Sequence, residues 1–277
     1  MAPMNLLNEN ETAAYVNTGT WSTKAIKEVE NFGKVVEIAS SKDKGFSYIP
    51  KGYDVPSDAV YLHTTSNNTI SGTEFQNTPE SNGVPIICDM SSNMFSRPIE
   101  VEKYGMIYAG AQKNIGPAGV TLVIIKKDWL GRANRNVPTM LNYSTHAAKG
   151  SMFNTPPAYP IYVLMLTMRW LKAQGGLKGI EQKNIDKANL LYNEIDTNPL
   201  FKGTVAKEDR SRMNVTFLPT NPDHTEAFIA MATEAGISGI KGHRSVGGFR
   251  ASIYNAMPKE SVQVLVDVMQ EFGRKFG

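Results

Sequence analysis

Residues 104–126 read YGMIYAGAQKNIGPAGVTLVIIK, and this stretch predicts two strands joined by a glycine-rich turn. Residues 105–111 form a short apolar run, and residues 120–126 form a second run rich in β-branched side chains. Lys113 follows the first run closely. Strands that are apolar on both sides are typical of a mostly parallel sheet covered by helices on both faces. Ligands of such sheets bind at the carboxyl ends of the strands, where Lys113 is expected to lie.

Earlier apolar runs predict further strands of the same sheet. These runs span residues 35–38, 60–64 and 84–89. Thr69 lies in the polar cluster after the second of them, and Asp89 ends the third. Because the carboxyl ends of parallel strands meet at one edge, we expect Thr69, Asp89 and Lys113 to lie close together. Residues 22–32 predict a helix, with Ser22 as its N-cap.

The pattern changes after a proline-rich break at residues 154–160. Helical spacing of apolar residues then alternates with two short apolar runs. The predicted helices span residues 162–173, 180–195, 226–235 and 260–272, and the predicted strands span residues 213–218 and 250–254. We therefore predict an α/β fold with two domains. Residues 1–170 form a large domain on the mostly parallel sheet, and residues 171–277 form a smaller C-terminal α/β domain.

Composition and charge exclude several classes of protein. The 277 residues are 41% hydrophobic and 20% charged, which is ordinary for a soluble globular protein. The net charge is +3 with no concentrated basic run, so we expect no nucleic-acid partner. The single cysteine excludes an intrachain disulfide. The most apolar stretch, residues 161–168, is too short to span a membrane, and we predict a cytoplasmic protein.

Two residues at the predicted strand ends suit cofactor chemistry. Lysine amines form Schiff bases with carbonyl compounds such as pyridoxal phosphate, and Lys113 is followed by Asn114 and Gly116. A solvated surface lysine is the alternative. An acid such as Asp89 is needed opposite the pyridine nitrogen of that cofactor. A helix N-cap before residues 90–92 is equally consistent with the sequence at Asp89.

A basic cluster lies near the C-terminus. Residues 241–250 read KGHRSVGGFR and carry Lys241, His243, Arg244 and Arg250 among three glycines. Arginine binds carboxylate and phosphate in a bidentate manner, and a glycine-rich turn exposes backbone N–H groups to anions. A basic surface hairpin is the alternative. No cluster has the spacing of a metal site.

Segments along the whole chain resemble phosphoserine aminotransferases, a family of fold-type-I enzymes dependent on pyridoxal phosphate. The segments that carry the resemblance are AGAQKNIGPAG, SSNMFSRPIEV, GSMFNTPPAY, RSRMNVTF and GHRSVGGFRASIYNAMP. The resemblance implies transfer of the amino group of L-glutamate to 3-phosphohydroxypyruvate, giving O-phospho-L-serine and 2-oxoglutarate. It places the enzyme in serine biosynthesis. In many bacteria the same enzyme also serves pyridoxine biosynthesis.

The resemblance also implies roles at the cofactor. Lys113 is expected to form the Schiff base and later to move protons. Asp89 is expected to pair with the pyridine nitrogen. Trp21 is expected to stack on the ring, with a core tryptophan as the alternative. Thr69 is expected to bind the phenolic oxygen of the ring, and Gln112 its phosphate.

Further roles concern the partner subunit and the substrate. The resemblance implies a homodimer in which Asn154 and Thr155 reach the cofactor phosphate of the neighbouring subunit. His243 and Arg244 are expected to bind the phosphate of the substrate. Arg250 is expected to bind its α-carboxylate.

One departure from the family leaves alternatives open. The family carries an N-terminal stretch with a phosphate-cradling turn and another His-Arg pair, and neither is found in this sequence. We therefore expect either an active aminotransferase or a fragment that folds and dimerises without chemistry. A fold-type-I enzyme for a different amino acid is a third possibility. It would leave His243 and Arg244 without a partner.

Overall fold

The computed structural model describes residues 1–277 and contains a six-stranded sheet in the order β2-β1-β3-β4-β5-β6. Its strands are β1 Thr12–Asn17, β2 Lys34–Ser40, β3 Leu62–Thr65, β4 Ile86–Asp89, β5 Tyr104–Gly110 and β6 Thr121–Ile125. The first five are parallel, and β6 runs antiparallel to β5 at one edge. The predicted mostly parallel α/β fold is thereby confirmed.

A smaller sheet follows in the C-terminal part of the chain. Its three antiparallel strands are β7 Phe201–Gly203, β8 Asn214–Pro219 and β9 Phe249–Ser252. The helices of the molecule are α1 Ala2–Leu6, α2 Thr20–Val29, α3 Tyr143–Ala148, α4 Ala158–Ala173, α5 Gly176–Thr197, α6 Thr225–Glu234 and α7 Lys259–Phe276. None of these helices combines the length and the apolar character that a membrane crossing requires.

Strand β1 lies second in the large sheet and was not predicted. Its side chains alternate, so that Tyr15 packs with α1 and α2 while Val16 faces the opposite core. Irregular chain carrying Ile49 and Val55, rather than a helix, covers that second face beside β1. The expectation of helices over both faces is therefore wrong for this part of the sheet.

The predicted start of α2 is also wrong. Gly19, not Ser22, is the N-cap, and its backbone φ of 158° is nearly extended. Ser22 lies inside the first turn, where its hydroxyl is buried and donates to Thr65 Oγ1 at 3.0 Å. A serine that bonds to a neighbouring strand carries the same sequence signal as one that caps a helix.

The small sheet has a core of its own, built largely from phenylalanine rings. The ring centroids of Phe228 and Phe249 are 4.7 Å apart, and those of Phe201 and Phe228 are 4.9 Å apart. Such tilted aromatic contacts add to the free energy of burial. A separate core is what a smaller C-terminal α/β domain requires. The division at residue 170 stays a prediction, and this residue lies inside α4.

Candidate active site

Lys113 lies in a tight turn after β5. Its backbone N–H donates to the carbonyl of Ala111 at 2.7 Å, and the N–H of Gly116 donates to the same oxygen at 2.8 Å. The half-buried side chain points back towards the sheet, and its Nζ donates to Thr69 Oγ1 at 2.6 Å. A freely solvated surface lysine is thereby excluded.

Asp89 ends β4 and lies beside Thr65 of β3 and Tyr108 of β5 in the register of the sheet. Its Oδ1 accepts from the backbone N–H of Ser91 at 2.8 Å. A turn rather than a helix follows, so the N-cap alternative is wrong. Burial raises the pKa of Asp89, while the Ser91 hydrogen bonds and the charge of Lys113 act to lower it.

Electrostatics couple the lysine to the acid. Burial lowers the pKa of Lys113, the charge of Asp89 counteracts this, and the charge of Arg250 lowers it further. A lowered pKa increases the fraction of neutral amine, which is the form that accepts protons and attacks carbonyl carbon. Thr69, Asp89 and Lys113 therefore meet at the carboxyl ends of neighbouring strands, as the sequence predicted.

Arg250 reaches this edge from the small sheet. It lies on β9, and its Nη1 donates to the carbonyl of Thr69 at 3.3 Å. Its Nε is buried without a hydrogen-bond partner. A half-buried guanidinium with a donor that has no partner, close to Lys113, is suited to receive a carboxylate.

Tyr254 is a site residue that sequence reasoning missed. Its hydroxyl accepts from Asn214 Nδ2 at 3.1 Å. Burial raises the pKa of Tyr254, while hydrogen bonds to Asn214 and Thr69 and the charge of Arg250 act to lower it. The only signal in the sequence is its position four residues after Arg250, which does not distinguish it from a core tyrosine.

Trp21 lies in the first turn of α2 and is 45% exposed, so the core alternative is wrong. Lys24 Nζ lies 4.9 Å from its ring centroid. The turn is held by Asn17 at the end of β1, whose Oδ1 accepts from Thr23 Oγ1 at 3.0 Å and from the N–H of Gly19 at 3.4 Å. Asn17 is a second residue that the sequence pattern did not single out.

The remaining predicted residues lie on the surface. Gln112 and Arg244 are exposed. His243 Nδ1 hydrogen-bonds Ser245 Oγ at 2.7 Å within the loop before β9. Asn154 is also exposed, and its Nδ2 donates only to the neighbouring Thr155 carbonyl, at 3.4 Å. The structure therefore brings Lys113, Thr69, Asp89 and Arg250 together. It leaves His243, Arg244, Gln112, Asn154 and Thr155 outside that group.

Comparison with known proteins identifies the family of this chain. A model of the class-V aminotransferases matches residues 1–265. This chain belongs to the class-V aminotransferase family. The phosphoserine aminotransferase of Flavobacterium johnsoniae is 58% identical to it over 275 residues, which cover 99% of this chain and 77% of that protein. The corresponding protein of Bacteroides thetaiotaomicron is 59% identical over 274 residues, with 98% and 76% covered.

The solved structures that resemble this class-V aminotransferase include phosphoserine aminotransferases, as do its relatives in sequence. The phosphoserine aminotransferase of Bacillus circulans subsp. alkalophilus superposes with a TM-score of 0.96 at 43% identity, covering 100% of this chain and 77% of that one. A phosphoserine aminotransferase studied for radiation damage of its Schiff base superposes at 0.95, with 47% identity and coverage of 99% and 77%. An alanine–glyoxylate aminotransferase from Nostoc, at 14% identity and 0.74, shares the fold alone.

The residues of this class-V aminotransferase fit pyridoxal phosphate, the cofactor of the enzyme. An amine with a lowered pKa is held at Thr69, and a buried acid lies within electrostatic reach of it. The exposed face of Trp21 offers a surface on which a flat ring can stack. No group of three or more potential metal-ligating side chains occurs in the described chain.

Proposed function

We propose that this class-V aminotransferase exchanges the amino group between L-glutamate and 3-phosphohydroxypyruvate, giving 2-oxoglutarate and O-phospho-L-serine. The observation that carries the proposal is the position of Lys113, which donates to Thr69 and feels the charges of both Asp89 and Arg250. Relatives that are 52–59% identical over nearly the whole chain carry the name of this activity, which supports the choice of substrates.

Lys113 is the proton carrier in this mechanism. Pyridoxal phosphate, when bound, supplies an electron-withdrawing ring that stabilises negative charge at the substrate Cα. The neutral amine of Lys113 would take the proton from the substrate Cα and deliver it to the C4′ carbon of the bound cofactor. Thr69 Oγ1 accepts from that amine at 2.6 Å and so orients it. Asp89 would keep the pyridine nitrogen of the bound cofactor protonated through its carboxylate.

The other residues bind and orient. Arg250 supplies a guanidinium for the α-carboxylate that both substrates share, since its Nε is buried and free. We assign the substrate phosphate to His243 and Arg244 in the exposed loop before β9. We assign stacking on the cofactor ring to Trp21 and contact with the cofactor phosphate to Gln112. Arg244 is exposed, so its guanidinium is accessible to a phosphate.

Replacing Arg244 with alanine tests the substrate assignment. The half-reaction with O-phospho-L-serine is expected to weaken by about ten- to a hundred-and-fifty-fold, because a charged hydrogen bond contributes about 1.5–3 kcal/mol. Glutamate should lose less, since it offers only a γ-carboxylate there. Arg250→Ala should weaken both half-reactions similarly. Single-turnover absorbance measures each half-reaction.

The matched control for Arg244→Ala is Arg274→Ala, since Arg274 is an exposed arginine that pairs with Glu271 on α7. It should leave both half-reactions unchanged. Equal losses for glutamate and phosphoserine in Arg244→Ala would refute the division between phosphate and carboxylate sites. A wild-type chain that folds but performs neither half-reaction would favour the alternative of a catalytically incomplete fragment.

We further propose that the enzyme acts as a homodimer. Asn154 and Thr155 are exposed and are assigned to the cofactor phosphate of the partner subunit. An apolar surface follows them directly, with Tyr159 73% and Tyr162 56% exposed at the start of α4. An exposed apolar patch of this kind marks an interaction site. The cytoplasmic location and a second role in pyridoxine biosynthesis stay predictions.

Tyr162→Glu tests the dimer. A charge in the centre of an apolar interface is expected to weaken self-association at least about thirtyfold, since central aromatic residues contribute about 2 kcal/mol or more. Val264→Glu is the control, because Val264 is 40% exposed on α7, in the other part of the chain. Sedimentation equilibrium measures both. A wild-type protein that is monomeric at micromolar concentration would contradict the proposal.

A further inference from the structure

Lys187 on α5 is a buried lysine, only 2% exposed. Its Nζ donates to three main-chain carbonyls, those of Ile253 at 3.0 Å, Tyr254 at 2.8 Å and Met257 at 3.0 Å. An ammonium group has three donors, so all of them converge on one short segment after β9. Residues 253–257 therefore receive three main-chain hydrogen bonds from one buried lysine.

The same segment is bonded to the turn that carries the reactive lysine. The backbone N–H of Asn255 donates to Asn114 Oδ1 at 3.0 Å, one residue after Lys113. The Asn255 side chain donates to the carbonyl of Phe95 at 2.9 Å and accepts from Asn184 Nδ2 at 2.9 Å. Asn184 precedes Lys187 by about one turn of α5. Helix α5, the segment and the lysine turn are thus linked by buried hydrogen bonds.

Two groups on the substrate side of the site are connected to this segment. Tyr254 belongs to it, and Arg250 precedes it by three residues on β9. Arg250 donates to the carbonyl of Thr69 at 3.3 Å. The side chain of Thr69 also acts to lower the pKa of Tyr254, which places the two side chains near each other. Thr69 in turn holds the amine of Lys113. A displacement of the segment would therefore move the substrate guanidinium relative to the amine.

We propose that Lys187 is a positioning residue of the active site, whose buried ammonium fixes residues 253–257 and thereby sets Arg250 and Tyr254 relative to Lys113. The proposal rests on the proposed function, in which Arg250 binds the substrate carboxylate. Lys187 itself contacts neither the substrate nor Lys113. Loss of its charge should loosen substrate binding and slow proton transfer on the bound substrate, because the substrate carboxylate and the amine of Lys113 would be misaligned.

The test replaces Lys187 with methionine, which keeps the unbranched stem and removes the charge. Single-turnover absorbance gives the Kd for L-glutamate and the first-order rate constant of the bound complex. The Kd is expected to rise about ten- to a hundredfold, the size of effect that loss of a charged hydrogen bond to the carboxylate produces. The first-order rate constant should also fall, by up to about a hundredfold, because a misplacement of about 1 Å between the amine and the substrate slows the reaction by about that much. The control is Lys183→Met, because Lys183 is an exposed lysine on the same helix. It should change neither the Kd nor the rate constant.

A merely structural role gives a different result. A structural role would lower the fraction of molecules that are active, which is measured as the fraction whose Lys113 reacts covalently with pyridoxal phosphate. The molecules that remain active would keep the wild-type Kd. That outcome overturns the proposal. Lys187→Gln serves if the methionine variant does not fold, because its amide keeps two donors without the charge, and an intermediate rise in Kd is expected.

Hydrogen exchange of the cofactor-free protein separates this proposal from the proposed function. Exchange in residues 253–257 and in the turn at residues 111–116 should accelerate in Lys187→Met and stay unchanged in Lys183→Met. If the wild type does not react with phosphoserine but both regions respond, the substrate assignment fails and the positioning role stands. If residues 111–116 do not respond, the coupling to Lys113 is refuted.

Discussion

Replacing Lys113 with alanine is expected to abolish covalent attachment of pyridoxal phosphate and to slow turnover at least about a thousandfold. The physical reason is that one amine both forms the bond and carries the proton, and general acid–base catalysis alone contributes about 10²–10⁴-fold. Thr69 Oγ1, which now accepts from the amine at 2.6 Å, would lose that partner. Absorbance spectroscopy and borohydride reduction with peptide mapping provide the measurement.

The control for this prediction is Lys127→Ala, since Lys127 is exposed and lies at the other end of β6. Its covalent label and turnover should match the wild type. Label on a lysine other than Lys113 in the wild-type protein would refute the assignment. Noncovalent binding of the cofactor should persist in Lys113→Ala, because Asp89 and Trp21 remain.

Asp89→Asn is expected to slow turnover by about 10²–10⁴-fold. The substitution would break the charge pair between Asp89 and the protonated pyridine nitrogen of the bound cofactor, and breaking a buried charge pair costs about 3–5 kcal/mol. The substitution keeps the shape of the side chain, and the asparagine oxygen can still accept from the Ser91 N–H that now bonds Oδ1 at 2.8 Å. Single-turnover absorbance should show the loss in the rate constant of the bound complex. Asp58→Asn, at an exposed aspartate, should have no effect.

The cofactor-free Asp89→Asn protein should be at least as stable as the wild type at neutral pH. Burial raises the pKa of Asp89, so the folded state holds its proton more tightly than the unfolded state does. The stability from this group is therefore fully present at acid pH below its ordinary pKa, and it is lost as pH rises through the raised value. At neutral pH the carboxylate costs stability, and the neutral amide removes this cost. A lower Tm for the cofactor-free variant would contradict this expectation.

The residues at the strand ends were predictable because an apolar run marks each strand, and a parallel sheet places the carboxyl ends of its strands at one edge. Asp89 and Lys113 each end or follow an apolar run, and the sheet aligns those ends at one edge. Strand β1 was not predictable in the same way. Its sequence, TAAYVN, contains two alanines with low β-propensity, and its place between β2 and β3 supplies the burial that stabilises it.

The spatial neighbours of each residue resolved the alternatives that the sequence left open. Asp89 caps a turn rather than a helix, Trp21 is exposed rather than buried, and Ser22 bonds to a strand rather than capping α2. In each case the residue type allows both roles, and only its neighbours in space decide between them.

By itself, the sequence determined the α/β class, the strands of the large sheet other than β1 and the residues Asp89 and Lys113 at their ends, because these follow from hydrophobic periodicity along neighbouring residues. The tertiary structure alone decided that Arg250 reaches Thr69, a residue 181 positions away in the chain. It also decided that the buried Lys187 binds the segment after β9. The contact of Arg250 depends on how the small sheet packs against the large one, and the contacts of Lys187 depend on how α5 packs against the chain after β9 within a single core. Periodicity within one segment carries no information about the orientation of another.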